Sequence, residues 1–445
     1  MAAAVPLWRQ LQAAAAVLQA VQGGESATPA LARVPAELRP AAQALAYEAL
    51  RQLGRAQALR KQLARRPPPA AVDALLCTAL ALCWRGGDAP YTAFTLVDQA
   101  VEAAKRSPAT AASSGFVNAC LRRFLRERDA LVAATEDDPA ARWNHPAWWI
   151  ERLRQDHPDH WQAILDAAGR PPPLTLRVNR RRATREDVLR QWTEAGIEAT
   201  PSGEHGLVVS PPRPVQELPG FSEGWVSVQD AAAQLAAPLL VAGLEPAHGP
   251  RLRLLDACAA PGGKTAHLLE LADADVTALE VDPQRAARIG ETLGRLGLQA
   301  RVVTADAARV QDWWDGQPFD GVLLDAPCTA SGIVRRHPDV RWLRRPGDAA
   351  QLAAQQDRLL QALWPLVRPG GRLVYCTCSV FREEGQRRIE AFVAHHRSAV
   401  PGPAPGHLRP QGPGTPQALR DNLEGDHDGF FYARLDKAAS APPGA

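Results

Sequence analysis

The chain has 445 residues, 46% hydrophobic and 22% charged, with a formal net charge of +3; that excludes a disordered chain and predicts about three domains. Its plainest apolar run, Leu75 to Cys83, falls far short of the ~20 residues that a bilayer-spanning helix needs. The N-terminus lacks the basic stretch and apolar core of a signal peptide, which predicts a cytoplasmic protein with no membrane partner.

From Trp8 to about Arg128 apolar residues recur at helical spacing, through Leu11, Ala15, Leu18 and Val21 and again through Leu45, Leu50 and Leu53. Pro67-Pro68-Pro69 and Arg85-Gly86-Gly87 interrupt the pattern, so short helices with short connections predict an all-α bundle. To residue 135 the chain carries 16 Lys+Arg against 9 Asp+Glu. The excess gathers at Arg60, Lys61, Arg65 and Arg66 and at Arg122, Arg123, Arg126 and Arg128. A docked polyanion or a set of solvated helix faces explains such clusters, and only nucleic-acid chemistry elsewhere in the chain favours the first.

A tryptophan-rich bridge with Trp143, Trp148 and Trp149 follows, read as packing between domains in preference to RNA stacking. Pro171-Pro172-Pro173 then stops helix formation. Strands are expected over 174–179, 206–210 and 225–228, with a helix over 184–195 opened by Thr184 and Asp187 at capping-box spacing. From Ala231 onward short apolar runs of strand length (252–257, 276–281, 300–304, 321–324, 373–377) alternate with helices (265–271, 284–296, 349–367, 383–396). That alternation predicts a parallel sheet covered on both faces. The Pro/Gly-rich stretch 401–416 reads as a loop, and 429–435 as a last antiparallel strand at a sheet edge. The chain is therefore multidomain. Residues 1–135 form a helical domain, 136–170 linker helices, 171–230 a small α+β module and 231–437 an α/β Rossmann-like catalytic domain, with 438–445 a flexible tail.

The first strand of the last domain runs into Asp256-Ala257-Cys258-Ala259-Ala260-Pro261-Gly262-Gly263-Lys264-Thr265. Small residues between a strand and a helix start let a ligand approach the backbone and meet unpaired N–H groups. The loop is neither GxGxxG nor a P-loop. The second strand ends at Glu280, suited to a ribose diol, and the third at Asp306, suited to an adenine amine. Singly, each acid reads as a helix cap. Three strand ends in register describe a nucleoside site, and S-adenosyl-L-methionine fits it best.

The fourth strand ends Leu324-Asp325-Ala326-Pro327-Cys328 and the fifth Tyr375-Cys376-Thr377-Cys378-Ser379. A thiolate is the nucleophile that adds to C6 of cytosine and makes C5 reactive toward a sulfonium methyl. A carboxyl group beside the base is also needed; Asp325 accepts from the N4 amine or shares a proton at N3. Lysine occurs only at 61, 105, 264 and 437, so Lys264 is read as an active-site residue, near the base or holding Asp325. Seven cysteines are too sparse for a disulfide framework. Cys77, Cys83 and Cys120 sit in apolar helices and are read as core. No CxxC pair exists, so no metal site is expected.

Asp325-Ala326-Pro327-Cys328 and Thr377-Cys378-Ser379, with Ala259-Ala260-Pro261-Gly262-Gly263-Lys264-Thr265 upstream, resemble the RNA 5-methylcytosine methyltransferases. Ser114-Gly115-Phe116-Val117-Asn118-Ala119-Cys120-Leu121-Arg122-Arg123 resembles a NusB-like RNA-binding domain, and Arg177-Val178-Asn179-Arg180, Ser227-Val228-Gln229-Asp230 and Arg335-Arg336-His337-Pro338-Asp339 stand where the family has them. The resemblance covers nearly the whole chain. It implies Cys378 as nucleophile and Cys328 for product release, with Asp325 and Lys264 beside them. It implies a cofactor site of Cys258, Ala259, Ala260, Pro261, Gly262, Gly263, Lys264, Glu280, Asp306 and Asp325. Glu280 stands where the family commonly has Asp. Cys376 stands where other members often have a residue without a thiol, and its role is open. The substrate implied is a cytosine C5 of 16S ribosomal RNA, met as a hairpin or an early assembly intermediate by a monomer, with RNA rather than DNA favoured by Thr377-Cys378. Rival readings are a transfer-RNA cytosine-C5 methyltransferase and a non-catalytic ribosome-assembly protein.

Overall fold

The computed structural model describes residues 5–85, 91–410 and 422–439. Gly86-Gly87, the 411–416 part of the Pro/Gly stretch and the last six tail residues lie outside the described residues. The chain forms two compact units, Met1–Pro171 with Val334–Pro346, and Pro172–Ile333 with Gly347–Ala445.

The first unit is all helical. Alanine and leucine, the strongest helix formers, dominate its segments. Leu11, Ala14, Leu18 and Val21 of helix Leu7–Gln22 share a buried face with Ala42, Ala46 and Leu50 of Arg39–Arg51 and with Val72, Leu76 and Leu80 of Ala70–Cys83. Cys77, Cys83 and Cys120 are buried in this core as expected. Trp149 is buried and Trp143 meets Trp161 edge-on at 5.2 Å, packing within this unit.

Residues 334–346, read from sequence as catalytic domain, belong instead to the helical unit. Asp339 Oδ2 accepts from the backbone N–H of Ala27 at 2.9 Å and from Ser26 Oγ at 3.1 Å, capping helix Ala27–Ala32. Arg51 Nη2 donates to the Arg335 carbonyl at 2.8 Å, and Trp342 Nε1 to the Leu50 carbonyl at 2.8 Å. Arg341 is buried with its guanidinium on the carbonyls of Ala168 (2.6 Å) and Asn144 (3.3 Å).

The second unit opens with β1 (Leu174–Val178), β2 (Ala199–Ser202), β3 (Gly206–Val209) and β4 (Val226–Val228), an antiparallel sheet of order β2-β3-β1-β4. Its helix Arg185–Glu194 carries the expected capping box, Thr184 and Asp187 each bonding the other's backbone N–H. Trp192 of this helix is fully buried against Leu176, Val178 and Leu207. β2 was not anticipated: Thr200-Pro201-Ser202 carries no apolar alternation.

Next come β5 (Leu252–Ala257), β6 (Ala274–Glu280), β7 (Arg301–Thr304), β8 (Phe319–Asp325), β9 (Val367–Thr377), β10 (Ala399–Leu408) and β11 (Phe430–Lys437), in the order β10-β11-β9-β8-β5-β6-β7. The pairs from β9 to β7 are parallel; β11 is antiparallel to β9 and β10. Leu254, Val276, Leu323 and Val374 point to one buried layer, and Leu255, Leu279, Val322 and Leu373 to the other. This is the two-faced burial that apolar parallel strands require.

Two expectations are corrected at the sheet's antiparallel end. The edge strand is β10, drawn from the segment read as a loop: it holds Pro401, Pro403 and Pro405 and its register shifts between Gly402 and Gly406. An edge strand tolerates proline because one side needs no ladder bonds. β11 therefore lies inside the sheet, not at its edge. Helix Asp348–Leu363 also ends earlier than expected, since Pro365 lies in a 3₁₀ turn and Val367 already belongs to β9.

Candidate active site

Register brings the functional strand ends into line. Ala257 of β5 pairs with Leu279 of β6 and Leu324 of β8, and Asp325 pairs with Cys376 of β9. Every sequence-predicted site residue therefore lies at or just beyond the carboxyl end of a parallel strand, where open α/β sheets bind ligands.

The turn after β5 is built for close approach. Cys258 has φ +64 and Gly262 φ +97, both left-handed. A Cβ on Gly262 would also meet Ile289 Cα at 3.1 Å, so glycine is required there on two counts. The turn leads into helix Gly263–Leu271, which aims Lys264 back over the sheet. Beneath it, Thr265 Oγ1 donates to Asp256 Oδ2 at 2.6 Å. Burial pushes the Asp256 carboxyl up to about 7 against that hydrogen bond, and burial drives the Cys258 thiol up as well, with the charges of Asp325 and Glu280 adding to it.

Beyond β6 the acids divide their work. Asp282 Oδ1 accepts from the N–H groups of Gln284 (2.7 Å) and Arg285 (3.1 Å), the cap of helix Pro283–Leu296. Glu280 is buried; its Oε1 accepts from the Asp282 N–H at 3.2 Å and its Oε2 has no partner. A buried carboxylate oxygen without a donor is costly, and a ribose hydroxyl would supply one. Asp306 Oδ1 accepts from the Ala308 N–H at 2.9 Å, and Oδ2 lies 3.4 Å from Arg358 Nη2. A left-handed small-residue turn and an orphaned acceptor at neighbouring strand ends fit S-adenosylmethionine.

The second half of the site joins four predicted residues. Lys264 Nζ donates to Asp325 Oδ2 at 2.7 Å and lies 5.6 Å from the centre of the Phe430 ring. Burial disfavours the Lys264 charge, but Asp325 outweighs it and raises the ammonium above its usual range. Cys328 Sγ and Cys378 Sγ stand 3.4 Å apart, both half-buried. The hydrogen bond with Cys378, burial and the nearby Glu384 charge all drive the Cys328 thiol well above the usual range. The two thiol-bearing loops are stitched together by the N–H groups of Ala326 and Gly332, which donate to the Cys376 and Cys378 carbonyls at 2.9 Å each. Among the described residues no group of three His, Cys, Asp or Glu is placed to hold a metal ion.

Other residues flagged in the sequence prove to be scaffold. The fully buried Arg177 donates to Glu270 Oε1 (2.7 Å) and Oε2 (2.9 Å), to the Gly263 carbonyl (3.0 Å) and to Gln229. It fastens β1 and the segment after β4 to the start of the cofactor-turn helix. Of the basic clusters, Arg60 pairs with Asp73 at 2.8 Å and Arg128 caps the Trp84 and Arg85 carbonyls, while Lys61, Arg65, Arg66, Arg122 and Arg126 are exposed. Sequence reading missed Glu270, Phe430 and Glu384, because nothing near them marks a distant partner.

A nucleoside-shaped turn and acids at strand ends, set beside paired thiols and a carboxylate–lysine couple, define the class: a Rossmann-like methyltransferase. Residues 241–436 match the family described as 16S rRNA methyltransferase RsmB/F, residues 145–216 its ferredoxin-like domain, and residues 9–126 the NusB family. The ribosomal RNA small subunit methyltransferase B of Pseudomonas syringae pv. tomato is 40% identical over 97% of both chains. The crystal structure of PH0851 superposes with a TM-score of 0.71 at 26% identity, covering 96% of this chain and 99% of that one. NSun6 from Pyrococcus horikoshii, solved with the S-adenosylmethionine analogue SFG, shares the fold at a TM-score of 0.53 and 20% identity, over 66% of this chain and 99% of its own. The chain belongs to the RsmB/F methyltransferase family, whose cofactor is S-adenosyl-L-methionine. No helix among the described residues is long and apolar enough to cross a membrane.

Proposed function

We propose that this protein methylates C5 of a cytosine in 16S ribosomal RNA through a covalent bond from Cys378 to C6 of the base. The observation that carries the reading is the pair of sulfurs, Cys328 and Cys378, 3.4 Å apart beside the Asp325–Lys264 couple. One thiol suffices to attack a pyrimidine. A second at contact distance suits a reaction that must also remove a proton and release the product.

In this mechanism the RNA unstacks its target cytosine, at a cost of a few kcal/mol that a loop nucleotide lowers. Asp325, held as an acceptor by Lys264, takes a hydrogen bond from the N4 amine and so reads cytosine over uracil. Cys378 Sγ, as thiolate, forms a bond to C6, and the electron pair of the C5–C6 double bond shifts to C5. S-adenosylmethionine supplies the electrophilic methyl that C5 takes. Once the Cys378 thiolate is spent in the C6 bond, Cys328 gives its proton to solvent and, as thiolate, takes the C5 proton; that electron pair re-forms the double bond, the Sγ–C6 bond breaks, and the Cys378 thiolate returns. Holding Cys328 protonated at rest prevents two adjacent thiolates.

Ribosomal RNA as substrate is supported by the named relatives and by the NusB segment, whose exposed Lys61, Arg65, Arg66, Arg122 and Arg126 suit a phosphate backbone. Such a substrate places the protein in the cytoplasm. The test is incubation with labelled S-adenosylmethionine and unmodified small-subunit RNA, then mapping of 5-methylcytosine. Label on transfer RNA alone would overturn the ribosomal assignment, and no label on any RNA would overturn the catalytic one.

A further inference from the structure

The geometry points to Glu384 as the positioning residue that fixes the spacing of the two catalytic thiols. This rests on the reading of Cys328 and Cys378 as a working pair. Glu384 lies on the 3₁₀ turn Arg382–Glu384 and is fully buried. Its contacts fall on the residues flanking them.

Glu384 Oε1 accepts from the backbone N–H of Thr329 at 2.7 Å and from Gln356 Nε2 at 3.4 Å. Oε2 accepts from the hydroxyls of Ser379, at 2.6 Å, and Thr329. The Glu384 carbonyl accepts from Thr377 Oγ1 at 3.2 Å and Tyr375 Oη at 2.8 Å. Gln356 Nε2 also donates to the Pro327 carbonyl at 2.8 Å. Residues 327 and 329 bracket Cys328, and residues 377 and 379 bracket Cys378. The Glu384 side chain therefore ties together the residues that follow the two cysteines, Thr329 and Ser379, while its backbone carbonyl holds Thr377 before Cys378 and Gln356 holds Pro327 before Cys328.

A neutral side chain could close a loop, but a buried carboxylate persists only where donors converge on it. Here four donors do, three of them from the thiol-bearing loops. Burial pushes the Glu384 carboxyl up, and those hydrogen bonds oppose it. The turn is delivered tightly: a Cβ on the next residue, Gly385, would meet Phe431 Cγ and His407 Cε1 at 2.6 Å. Ser331 Oγ, 2.8 Å from Ser379 Oγ, extends the clamp across the two loops.

The test reads the sulfur spacing directly and separately from catalysis. Diamide converts two adjacent thiols to a disulfide, taking up their two electrons and two protons, and peptide mass mapping quantifies the Cys328–Cys378 bridge. Glu384→Ala is expected to lower bridge yield severalfold and kcat by about 100-fold, as for an ångström-scale misplacement, with the RNA KM unchanged. Glu384→Gln should restore most of both, because its Oε1 still accepts from the Thr329 N–H while the two hydroxyls rotate to accept from Nε2. A folded Glu384→Ala protein that binds S-adenosylhomocysteine and keeps wild-type bridge yield and kcat would overturn the proposal. Should that variant fail to fold, the Thr329→Val, Ser379→Ala double variant is read in the same way. If bridge yield falls while the wild-type protein methylates no RNA, the spacing role stands and the proposed function fails.

Discussion

Cys376 stands directly across the β8–β9 pair from Asp325, and its thiol donates to Asp325 Oδ1 at 3.4 Å. That contact bears on the role left open by the sequence. Cys376 is buried, its thiol is driven well above the usual range by burial and then by the Asp325 charge, and it orients the carboxylate from the side opposite Lys264. It is a thiol that donates, not one that attacks.

Cys376→Ser should accordingly keep activity within about twofold, since a hydroxyl still donates to Asp325. Cys376→Ala loses one hydrogen bond to a charged group, worth roughly 1.5 kcal/mol, and should lower kcat/KM for RNA about tenfold. Steady-state methylation of small-subunit RNA measures both. Abolished turnover with an intact cofactor affinity in either variant would contradict the assignment.

The two half-buried thiols are expected to separate cleanly. Cys378→Ala should reduce methyl transfer to background, because it removes the sulfur proposed to bond C6. Cys328→Ala should attach to RNA and fail to release it, leaving a protein–RNA band that survives denaturing electrophoresis. If Cys328→Ala turns over normally while Cys378→Ala still methylates, the roles are wrong.

On the cofactor side, Glu280→Ala removes the acceptor whose Oε2 lacks a protein partner. A hydrogen bond to a charged group contributes about 1.5–3 kcal/mol, so the Kd for S-adenosylhomocysteine should rise about 10- to 100-fold, with kcat at saturating cofactor little changed. Titration calorimetry gives the number. An unchanged Kd would remove Glu280 from the ribose site.

Asp256 offers a pH test. Burial raises its carboxyl to about 7 in the folded chain, against an unfolded value near 3.9. The folded state therefore binds more protons than the unfolded one between those values, and this group's contribution to stability falls as pH rises from about 4 to 7. Asp256→Asn abolishes the titration. Its melting temperature relative to wild type should climb over that interval, and thermal melts across pH 4 to 8 will show whether it does.

Much of the site was legible because chemistry sits at strand ends, and strand ends are visible where an apolar run stops. Lys264 was legible on a different ground, the scarcity of lysine, which left it near the base or holding Asp325, and it meets Asp325 at 2.7 Å. The residues that escaped notice act across space without a local signature. Glu384 looks like any acid in an Arg-Glu-Glu run, and Glu270 like any helix surface residue. In the fold, β10 hid because proline breaks the strand pattern wherever ladder bonds are needed on both sides, and an edge lifts that requirement on one. β2 hid because it is short and half-exposed.

The stretch from Val334 to Pro346 is encoded between β8 and helix Asp348–Leu363 yet completes the helical unit, where Asp339 caps a helix and Arg341 lies on two carbonyls. The two units are thus not cassettes that a single recombination event could trade. A fragment beginning at Pro172 would carry Arg341 stripped of its Ala168 and Asn144 carbonyls and an exposed Trp342, while the complementary fragment would lose a cap and part of its core. Any attempt to express either half alone must excise or transplant thirteen residues from the middle of the other.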